Sequence, residues 1–331
     1  MYKRQIVDHA GNVTYLNSQG LVFDNTAPQM GTAAVSPADW TNQKVKITVP
    51  NVSDAMSGVE GVYYSADSAD IGSGAWSKMT LTDGTATTGE FVPRYNNKVT
   101  TYYIYAKDAA GNTTAIQQAV VHYDTVIPVI SKVESSPPQG TWTGGDVTLT
   151  VTAEDVGSGV ASYSFDNGTT WQAENTYNVE ANATFQIKVK DTAGNISAVQ
   201  EFVVANIDKT IPELGAVAHD PATTITSQEA AADYTLKLTG IADTPSGAAE
   251  VWYGTQDDIA KAQKFEGYTP GNATCDIPVS IERGAAQYFV WIKDAVGNVS
   301  LPKNTIIYRA RTAFTDETDP MYWMGQKTGG D

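Results

Sequence analysis

Apolar and polar residues alternate along much of the chain. Residues 44–49, Lys-Val-Lys-Ile-Thr-Val, and residues 147–151, Val-Thr-Leu-Thr-Val, carry an apolar side chain at every second position. This period of two is typical of a β-strand with one buried face. Turn residues separate such runs, and the clearest example is Asp166-Asn167-Gly168, a strong β-hairpin signal. The pattern therefore predicts an all-β chain.

One turn phrase recurs and indicates how the chain is organised. Asp-x-x-Gly-Asn begins at Asp8, Asp108, Asp191 and Asp294, and each internal copy follows an apolar, aromatic-rich run. Gly supplies the positive φ that such a turn needs, and the Asp and Asn side chains hydrogen-bond to nearby backbone. The phrase therefore predicts a β-hairpin. Because it recurs after 83 and then 103 residues, it predicts tandem domains, each near the size of one immunoglobulin-like sandwich.

A second phrase, Asp-x-x-x-Pro, marks the expected domain boundaries at Asp24, Asp124 and Asp208. Proline stiffens φ and suits an edge or first-strand position, so we expect short, semi-rigid junctions. Residues 24–123, 124–207 and 208–309 are then repeats 1, 2 and 3, of which repeat 3 is divergent. Residues 1–23 are expected to be the C-terminal hairpin of a truncated preceding repeat, and 310–331 a tail or the start of a further unit. We therefore interpret the chain as a piece of a longer protein.

Two local features refine this plan. Residues 255–265 in repeat 3 contain helix formers, so we expect a short helix there. Trp76 and Trp171 occupy matching places after the third strand of their repeats, as Trp40 and Trp142 do earlier. Exposed tryptophans can bind sugars, but large aromatic side chains more often supply packing area. We therefore expect these residues to pack in the sandwich core or at a pole.

Composition excludes several classes of partner. The formal net charge is −16, with 37 acidic against 21 basic residues. Such a chain has no basic face to neutralise phosphates, so we expect it to bind neither nucleic acid nor anionic lipid. The one cysteine, Cys275, excludes an intrachain disulfide and a Cys-rich zinc site. The sequence has no apolar run of about 18–20 residues that could span a bilayer.

The sequence gives no support for catalysis. The three histidines, His9, His122 and His219, do not recur in register, and there is no Gly-x-Ser-x-Gly, Walker loop or His-Glu-x-x-His. Acidic pairs fall in turns rather than across a cleft, as a glycosidase would need. We therefore expect a protein without enzymatic activity and without catalytic residues.

Taken together, the motifs resemble a known family. Asp-x-Thr-x-Pro, a Ser-Gly-Val loop and Asp-x-Ala-Gly-Asn resemble the bacterial immunoglobulin-like repeats of surface proteins, adhesins and accessory regions of large secreted enzymes, over about residues 24–309. The resemblance implies tandem immunoglobulin-like β-sandwiches in an extended array, on a secreted or cell-surface bacterial protein. It implies a non-enzymatic stalk or adhesion segment that holds a terminal functional domain away from the surface.

Partners and an alternative function follow from the same resemblance. The expected partners are neighbouring repeats of the chain and a host or cell-wall glycan or protein ligand. The alternative is an accessory or carbohydrate-binding region of a large extracellular carbohydrate-active enzyme. A solvent-facing cluster of Trp or Tyr on one sheet would favour that alternative, and fully buried tryptophans would favour the stalk.

The implied topology also brings aspartates together. In an immunoglobulin-type sandwich the first strand starts at the same pole as the B–C and F–G loops. The boundary Asp, the Ser-Gly loop and the Asp-x-x-Gly-Asn turn should then meet at the pole that faces the preceding domain. The expected groups are Asp24, Asp54 and Asp108 in repeat 1, Asp124, Asp155 and Asp191 in repeat 2, and Asp208, Asp243 and Asp294 in repeat 3.

Two interpretations of these groups stay open. Three carboxylates repel one another unless a positive or donating group lies between them. Calcium, which prefers carboxylate and carbonyl oxygens, would meet that need and stiffen the junction. Alternatively, each Asp caps backbone N–H groups in its own turn and no metal is involved. The fold requires no cofactor in either case, and Ca²⁺ is the candidate ligand of the domain poles.

Overall fold

The structure, a computed structural model, describes residues 3–17, 23–73, 75–221, 232–281 and 284–309. These residues form tandem immunoglobulin-like β-sandwiches, which confirms the predicted all-β fold class. They divide into two compact units: one holds the residues up to Lys132 with Thr152–Asn175 and Ile187–Gln200, and the other holds the rest. No helix within the described ranges is long and apolar enough to cross a membrane.

The chain opens with a hairpin of two antiparallel strands, β1 (Lys3–Val7) and β2 (Val13–Asn17). Asp8 holds the turn, because its Oδ1 accepts two backbone N–H groups of the turn at 2.9 Å. The predicted turn at this position is therefore confirmed. The hairpin expected over residues 1–23 extends past β2, and residues 18–22 lie outside the described part of the chain.

Repeat 1 folds as two four-stranded sheets. Its strands are β3 (Ala34–Ser36), β4 (Lys46–Val49), β5 (Val59–Ser65), β6 (Ser77–Lys78), β7 (Thr80–Thr82), β8 (Thr85–Thr87), β9 (Lys98–Asp108) and β10 (Gln117–Tyr123). The strand orders are β3-β4-β8-β7 and β10-β9-β5-β6. Alternate residues point inward and form a core that includes the fully buried Ile47, Val62 and Ile104. Burying each such side chain contributes about 1.5–3 kcal/mol.

The recurring turn follows β9. Asp108 ends this strand, and the backbone N–H and side-chain amide of Asn112 donate to its carboxylate at 2.8 and 2.7 Å. Gly111 has a φ of 99°, a left-handed value that glycine adopts at little cost. β10 then pairs antiparallel with β9, with Gln117 opposite Ile104. The Asp-x-x-Gly-Asn phrase therefore forms the predicted hairpin.

Repeat 2 has two three-stranded sheets and contributes residues to both compact units. Its strands are β11 (Val129–Ser136), β12 (Val147–Glu154), β13 (Val160–Ser164), β14 (Thr176–Val179), β15 (Ala183–Asp191) and β16 (Gln200–Val204). The strand orders are β11-β12-β14 and β13-β15-β16. Leu149 in β12 and Ile187 in β15 are fully buried, as their period-two positions predict.

Repeat 3 has a three-stranded sheet, β17-β18-β21, and a four-stranded sheet, β20-β19-β22-β23. The strands are β17 (Glu213–Asp220), β18 (Ala232–Ala242), β19 (Ala248–Gly254), β20 (Gln263–Lys264), β21 (Thr274–Ile281), β22 (Gly284–Asp294) and β23 (Lys303–Arg309). The short helix expected within residues 255–265 is a single 3-10 turn, Ile259–Lys261, whose N-terminus Asp258 caps. The predicted tail, residues 310–331, lies outside the described residues.

Two tryptophans depart from the expectation of core or pole packing. Trp76 packs edge-on to Tyr105, with 4.8 Å between ring centroids. Lys190 places its Nζ 4.0 Å from the ring centroid of Trp171. Because side chains alternate along a strand, Tyr105 lies on the face opposite the core residue Ile104. The tryptophans are thus half-buried against outer-face residues, which corrects the expectation for this pair.

Candidate metal-binding poles

The structure gathers the nine aspartates into the three expected groups. Within each group, one carboxylate oxygen per residue lies within 4.8 Å of the corresponding oxygens of the other two residues. The groups are Asp24, Asp54 and Asp108 (the first pole), Asp124, Asp155 and Asp191 (the second pole), and Asp208, Asp243 and Asp294 (the third pole). Each pole therefore combines a boundary phrase, a Ser-Gly loop and a hairpin turn.

At the second pole, backbone donors position the boundary and loop aspartates. Asp124 is fully buried, and its two oxygens accept the backbone N–H groups of Val126 and Ser158, both at 2.9 Å. Asp155 Oδ2 accepts the backbone N–H of Gly159 at 2.8 Å. Hydrogen bonds to an ionised acceptor are stronger than neutral ones. Asp155 is therefore held within its own loop, whereas Asp124 is held both by its own turn and by the Ser-Gly loop 34 residues further along the chain.

Asn195 ties the hairpin turn of the second pole to the boundary. Its Nδ2 donates to Asp191 Oδ2 at 2.7 Å and to the backbone oxygen of Asp124 at 3.0 Å. Its Oδ1 accepts the side-chain N–H of Asn42, a residue of repeat 1, at 3.0 Å. Asn195 is buried, so this buried amide is satisfied at both ends. The bond from Asn42 connects the second pole directly to the preceding repeat.

The electrostatics of the second pole favour a cation. Burial raises the pKa of Asp155, and the charges of Asp124 and Asp191 raise it further. Asp155 Oδ1 is buried and has no hydrogen-bond partner among the described residues. An unpartnered buried carboxylate oxygen is costly. A hydrogen-bond donor or a cation beside Asp155 Oδ1 would therefore stabilise the second pole.

Repeat 1 brings a further oxygen to this pole. Asn97 Oδ1 is buried and has no partner in the described part of the chain. Gly157 has a φ of 135°, and a Cβ on it would overlap Asn97 Oδ1 and lie 2.7 Å from Asp124 Oδ2. Glycine thus lets both oxygens approach the same point. Carboxylate and amide oxygens are the ligands that Ca²⁺ prefers.

The third pole repeats the carboxylate arrangement. Burial raises the pKa of Asp243, and the charges of Asp208 and Asp294 raise it further. Burial acts in the same direction on Asp208, but hydrogen bonds from Ser246 and Thr210 outweigh it and lower the pKa of that carboxyl. The pole therefore places Asp208, whose pKa is lowered, beside Asp243, whose pKa is raised.

The connection of the third pole to repeat 2 differs from that of the second pole to repeat 1. Asn298 Nδ2 donates to Asp294 Oδ2 at 2.7 Å and to the backbone oxygen of Asp208 at 3.1 Å. Gly144 follows Trp142-Thr143 just as Asn42 follows Trp40-Thr41 in repeat 1. A Cβ on Gly144 would lie 3.7 Å from Asn298 Oδ1, an ordinary contact distance. Glycine has no side chain to donate, so the inter-repeat amide bond is lost here.

The first pole is the most open of the groups. Asp24 and Asp54 are half-buried, whereas Asp108 is fully buried. Hydrogen bonding, first of all with Ser57, lowers the pKa of Asp24. A cavity of about 390 Å³ opens beside Asp24 and is lined also by Met56. Within the described part of the chain, solvent can therefore reach the first pole through this cavity.

Sequence reasoning missed the asparagines. The Asn of each Asp-x-x-Gly-Asn phrase is readable as a turn residue, and that role is correct. Its bond to the boundary carbonyl, as Asn195 makes with Asp124, depends on the closed sandwich and has no local signal. Asn97 belongs to no motif, and its place directly before β9 is the one feature of the sequence that could have singled it out.

Comparison with known families identifies the repeats. A model of the bacterial Ig-like domain matches residues 2–25, 29–125 and 143–206, more than half of the chain. The chain belongs to the bacterial Ig-like domain family. This membership agrees with the sandwiches described above and with the resemblance found in the sequence motifs.

A curated relative is an exoglucanase by name. Exoglucanase A of Cellulomonas fimi is 39% identical over 119 residues, which are 31% of this chain and 14% of that protein. The chain therefore spans a small part of the length of this relative. Domains of the bacterial Ig-like family are generally non-catalytic.

Solved structures similar to the chain are also modular. The FN1-FN3 domains of chicken CNTN1 are 13% identical, with a TM-score of 0.30 over 86% of this chain and 99% of that one. A tetra-tandem repeat in the extending region of a large adhesion protein is 16% identical, with a TM-score of 0.31 over 94% and 81%. The fibronectin(III)-like modules of Clostridium thermocellum CbhA are 14% identical, with a TM-score of 0.26 over 58% and 99%. At these values the similarities carry no functional argument.

Proposed function

We propose that this chain is a non-enzymatic spacer segment of a bacterial protein that acts outside the cell, and that its poles bind Ca²⁺. The observation that best supports the proposal is the path of hydrogen bonds from Asn42 through Asn195 to Asp124. This path joins repeat 1 to the second pole. A spacer must pass orientation from one domain to the next, and hydrogen bonds across the boundary between two repeats restrict bending. Its partners would be neighbouring repeats and a glycan or protein ligand of the terminal domain.

Further bonds stiffen the same junction. The backbone N–H of Asp124 donates to the carbonyl oxygen of Thr41 at 3.1 Å. Thr125 donates its backbone N–H to Asn96 Oδ1 at 2.9 Å, and Asn96 Nδ2 donates to Thr125 Oγ1 at 2.8 Å. β10 ends at Tyr123, so no linker residue separates the strand from these contacts. The junction is therefore a very short connection that these hydrogen bonds restrain.

The residues of the second pole fit a calcium ion. They form an all-oxygen donor set, which suits this hard cation. Asp124, Asp155 and Asp191 would hold the ion, and Asn97 would add an amide oxygen from repeat 1. The unpartnered oxygens of Asp155 and Asn97 are the atoms that gain most from it. Bound Ca²⁺ would supply the positive charge that offsets repulsion between the carboxylates. The same role is proposed for Asp24, Asp54 and Asp108, and for Asp208, Asp243 and Asp294.

Calorimetry of the full chain tests the calcium proposal. In about 1 mM CaCl2, we expect a melting transition to rise by about 5–10 °C relative to EGTA, because a ligand at 100 times its Kd adds about 2.7 kcal/mol. Mg²⁺ should produce a smaller rise, since it demands a tighter octahedral site. The variant Asn97→Ala should weaken the response, while Asn182→Ala, its counterpart in repeat 2, should leave it unchanged.

A second measurement addresses the spacer itself. Small-angle X-ray scattering should give the same maximum dimension across concentrations in Ca²⁺ and a broader distance distribution in EGTA, because the junction bends more without the ion. Identical melting and scattering in both buffers would reject calcium and leave the aspartates as caps of backbone N–H groups.

A second candidate function is an accessory region of a large extracellular carbohydrate-active enzyme. The identity of 39% over 119 residues with Exoglucanase A favours this parent protein. Both candidates are extracellular, and both use the repeats as spacers. The coding sequence around this chain discriminates them: a catalytic domain in the same reading frame supports the enzyme, and a cell-wall sorting signal supports the surface stalk.

A further inference from the structure

Repeat 3 has a cavity that the spacer function does not use. Its volume is about 420 Å³. It lies at the Gly254 end of β19, whereas Ala248 at the other end of that strand pairs with Asp294 of the third pole. Cavities of this size accommodate small molecules or a single unit of a polymer. Residues around it include Tyr253, Thr255, Lys261, Gln263, Ser280 and Tyr288.

The divergent segment of repeat 3 builds one wall of the cavity. After β19 the chain leaves the sheet through the 3-10 turn Ile259–Lys261 and returns in β20, where Gln263 pairs with Tyr253. Gly254 lets this segment pack closely, since a Cβ there would lie 3.3 Å from Ala262 Cα. The segment in which a short helix was expected therefore forms a rim of the cavity, and this rim carries polar side chains.

Polar groups at the cavity are available for a ligand. Among the described residues, the side chains of Thr255, Gln263 and Ser280 form no hydrogen bond within the protein. Lys261 is 64% exposed and its Nζ lies 3.7 Å from Asp258 Oδ2, too far for a strong bond. Tyr288 belongs to the buried core of repeat 3 and lines the inner side of the cavity.

The charge of the cavity contrasts with that of the chain. The formal net charge is −16, yet no Asp or Glu is among the described residues that line the cavity, and Lys261 is. The carboxylate of Asp258 is 3.7 Å from Lys261 Nζ but lies outside the lining, so the exposed ammonium can also face an anionic group on the ligand. Hydroxyl and amide groups next to the rings of Tyr253 and Tyr288 favour a ligand with hydroxyls and an apolar ring face.

We propose that this cavity binds a sugar ring that carries a carboxylate, such as a uronic acid unit of an acidic polysaccharide. The tyrosine rings would pack against the C–H face of the sugar, Gln263, Thr255 and Ser280 would bind hydroxyls, and Lys261 would bind the carboxylate. This inference goes beyond the spacer function, and it does not involve the aspartates of the poles.

Saturation-transfer NMR and calorimetric titration of the full chain test the proposal with digalacturonic acid as probe and cellobiose as the neutral comparison. We expect digalacturonic acid to bind with a millimolar Kd and cellobiose to bind about tenfold more weakly. Lys261→Ala should weaken binding of digalacturonic acid about tenfold, and Gln263→Ala about threefold, the loss typical of a charged and a neutral hydrogen bond. Both residues are exposed, so folding is not at risk. Lys303→Ala, an exposed lysine of the same repeat outside the cavity lining, is the matched control.

Three outcomes would overturn the proposal. They are no saturation transfer to digalacturonic acid at about 10 mM, binding that survives both cavity variants, and a loss in Lys303→Ala equal to that in Lys261→Ala. Every titration is repeated in EGTA. The sugar result should be the same in EGTA and in Ca²⁺, so a failure of the calcium proposal and a failure of this one give different results.

Discussion

The second and third poles carry the same aspartates but connect differently to the repeat before them. At the second pole, Asn42 donates to the turn asparagine, and Asn97 brings an unpartnered oxygen. At the third pole, Gly144 stands where Asn42 would be. Asn182, which precedes β15 as Asn97 precedes β9, binds the backbone N–H and carbonyl of Ile207 instead. The preceding repeat therefore contributes neither amide to the third pole.

In place of these amide contacts, the junction between repeats 2 and 3 (the third junction) has an ion pair. Lys209, directly after the boundary Asp208, donates to Asp146 Oδ1 and to the carbonyl oxygen of Glu180, both at 2.7 Å. The side chains of Lys209 and Asp146 are 45% and 40% exposed, and such pairs contribute about 0–1 kcal/mol. At both poles, hydrogen bonds within the repeat position the carboxylates, whereas the contacts from the preceding repeat differ between the two poles. We therefore expect the junction between repeats 1 and 2 (the second junction) to be stronger than the third junction.

The largest expected effect comes from removing the turn asparagines. Asn195→Ala should destabilise the chain by about 3 kcal/mol, because a buried oxygen of Asp191 and the amide of Asn42 lose their partner. Asn298→Ala should cost about 1 kcal/mol less, since no bond from repeat 2 is lost there. Calorimetry measures both changes, and hydrogen exchange localises them. Equal losses would contradict the difference between the junctions.

The next effect concerns the loop aspartates, Asp155 and Asp243, and changes sign with calcium. In EGTA, Asp155→Asn and Asp243→Asn should each raise the melting temperature by about 2–4 °C, because each removes a carboxylate whose burial is unfavourable. In Ca²⁺, both variants should melt below the unmodified chain. The matched test is calorimetry in the two buffers. Lower melting in both buffers would mean that these residues act only as caps.

The same aspartates predict a pH dependence. Folding raises the pKa of Asp155 and Asp243, so a penalty develops as pH rises through those values and is relieved as pH falls. In EGTA, the chain should therefore gain stability as pH is lowered from neutral towards the raised pKa, and the two Asn variants should not. The pKa values of Asp24 and Asp208 are lowered, so their stabilisation is lost only at more acidic pH. Calorimetry across weakly acidic pH measures the gain.

A reciprocal exchange sharpens the comparison further. Asn42→Gly should destabilise the second junction by about 1 kcal/mol, the value of one hydrogen bond. Gly144→Asn should stabilise the third junction by a similar or smaller amount, because a side chain has room there beside Asn298. Hydrogen exchange at the two junctions measures both. If Gly144→Asn lowers the stability of the third junction, an asparagine at this position does not bind Asn298 as Asn42 binds Asn195.

The smallest effect is expected at the ion pair. Lys209→Met should lower stability by about 0.5 kcal/mol in low salt and have no effect in high salt, because screening weakens exposed charge pairs. Lys303→Met, at another exposed lysine of repeat 3, serves as the control and should not alter the salt dependence. A salt-independent loss would show that Lys209 acts through the packing of its stem.

Much of the site was predictable because it is built from turns. Asp108 and Gly111 lie within one turn, and their roles depend on backbone a few positions away. The grouping of the aspartates followed from the way the strands of an immunoglobulin-type sandwich alternate between its two poles, once the boundary and hairpin phrases were recognised. The placement of Trp76 was not predictable, since a half-buried strand leaves both faces open to an aromatic residue from a loop.

The sequence by itself determined the strands and the hairpin turns, because period-two patterning and turn chemistry act over a few residues. The resemblance to immunoglobulin-like repeats indicated which nine aspartates would meet at the poles. Only the tertiary structure decided that Asn97 approaches Asp124 across Gly157, that Asn42 reaches Asn195, and that repeat 3 leaves a cavity beside Tyr253. Those contacts join residues far apart in the chain, where no local pattern specifies a partner and the packing of whole sheets sets the distance.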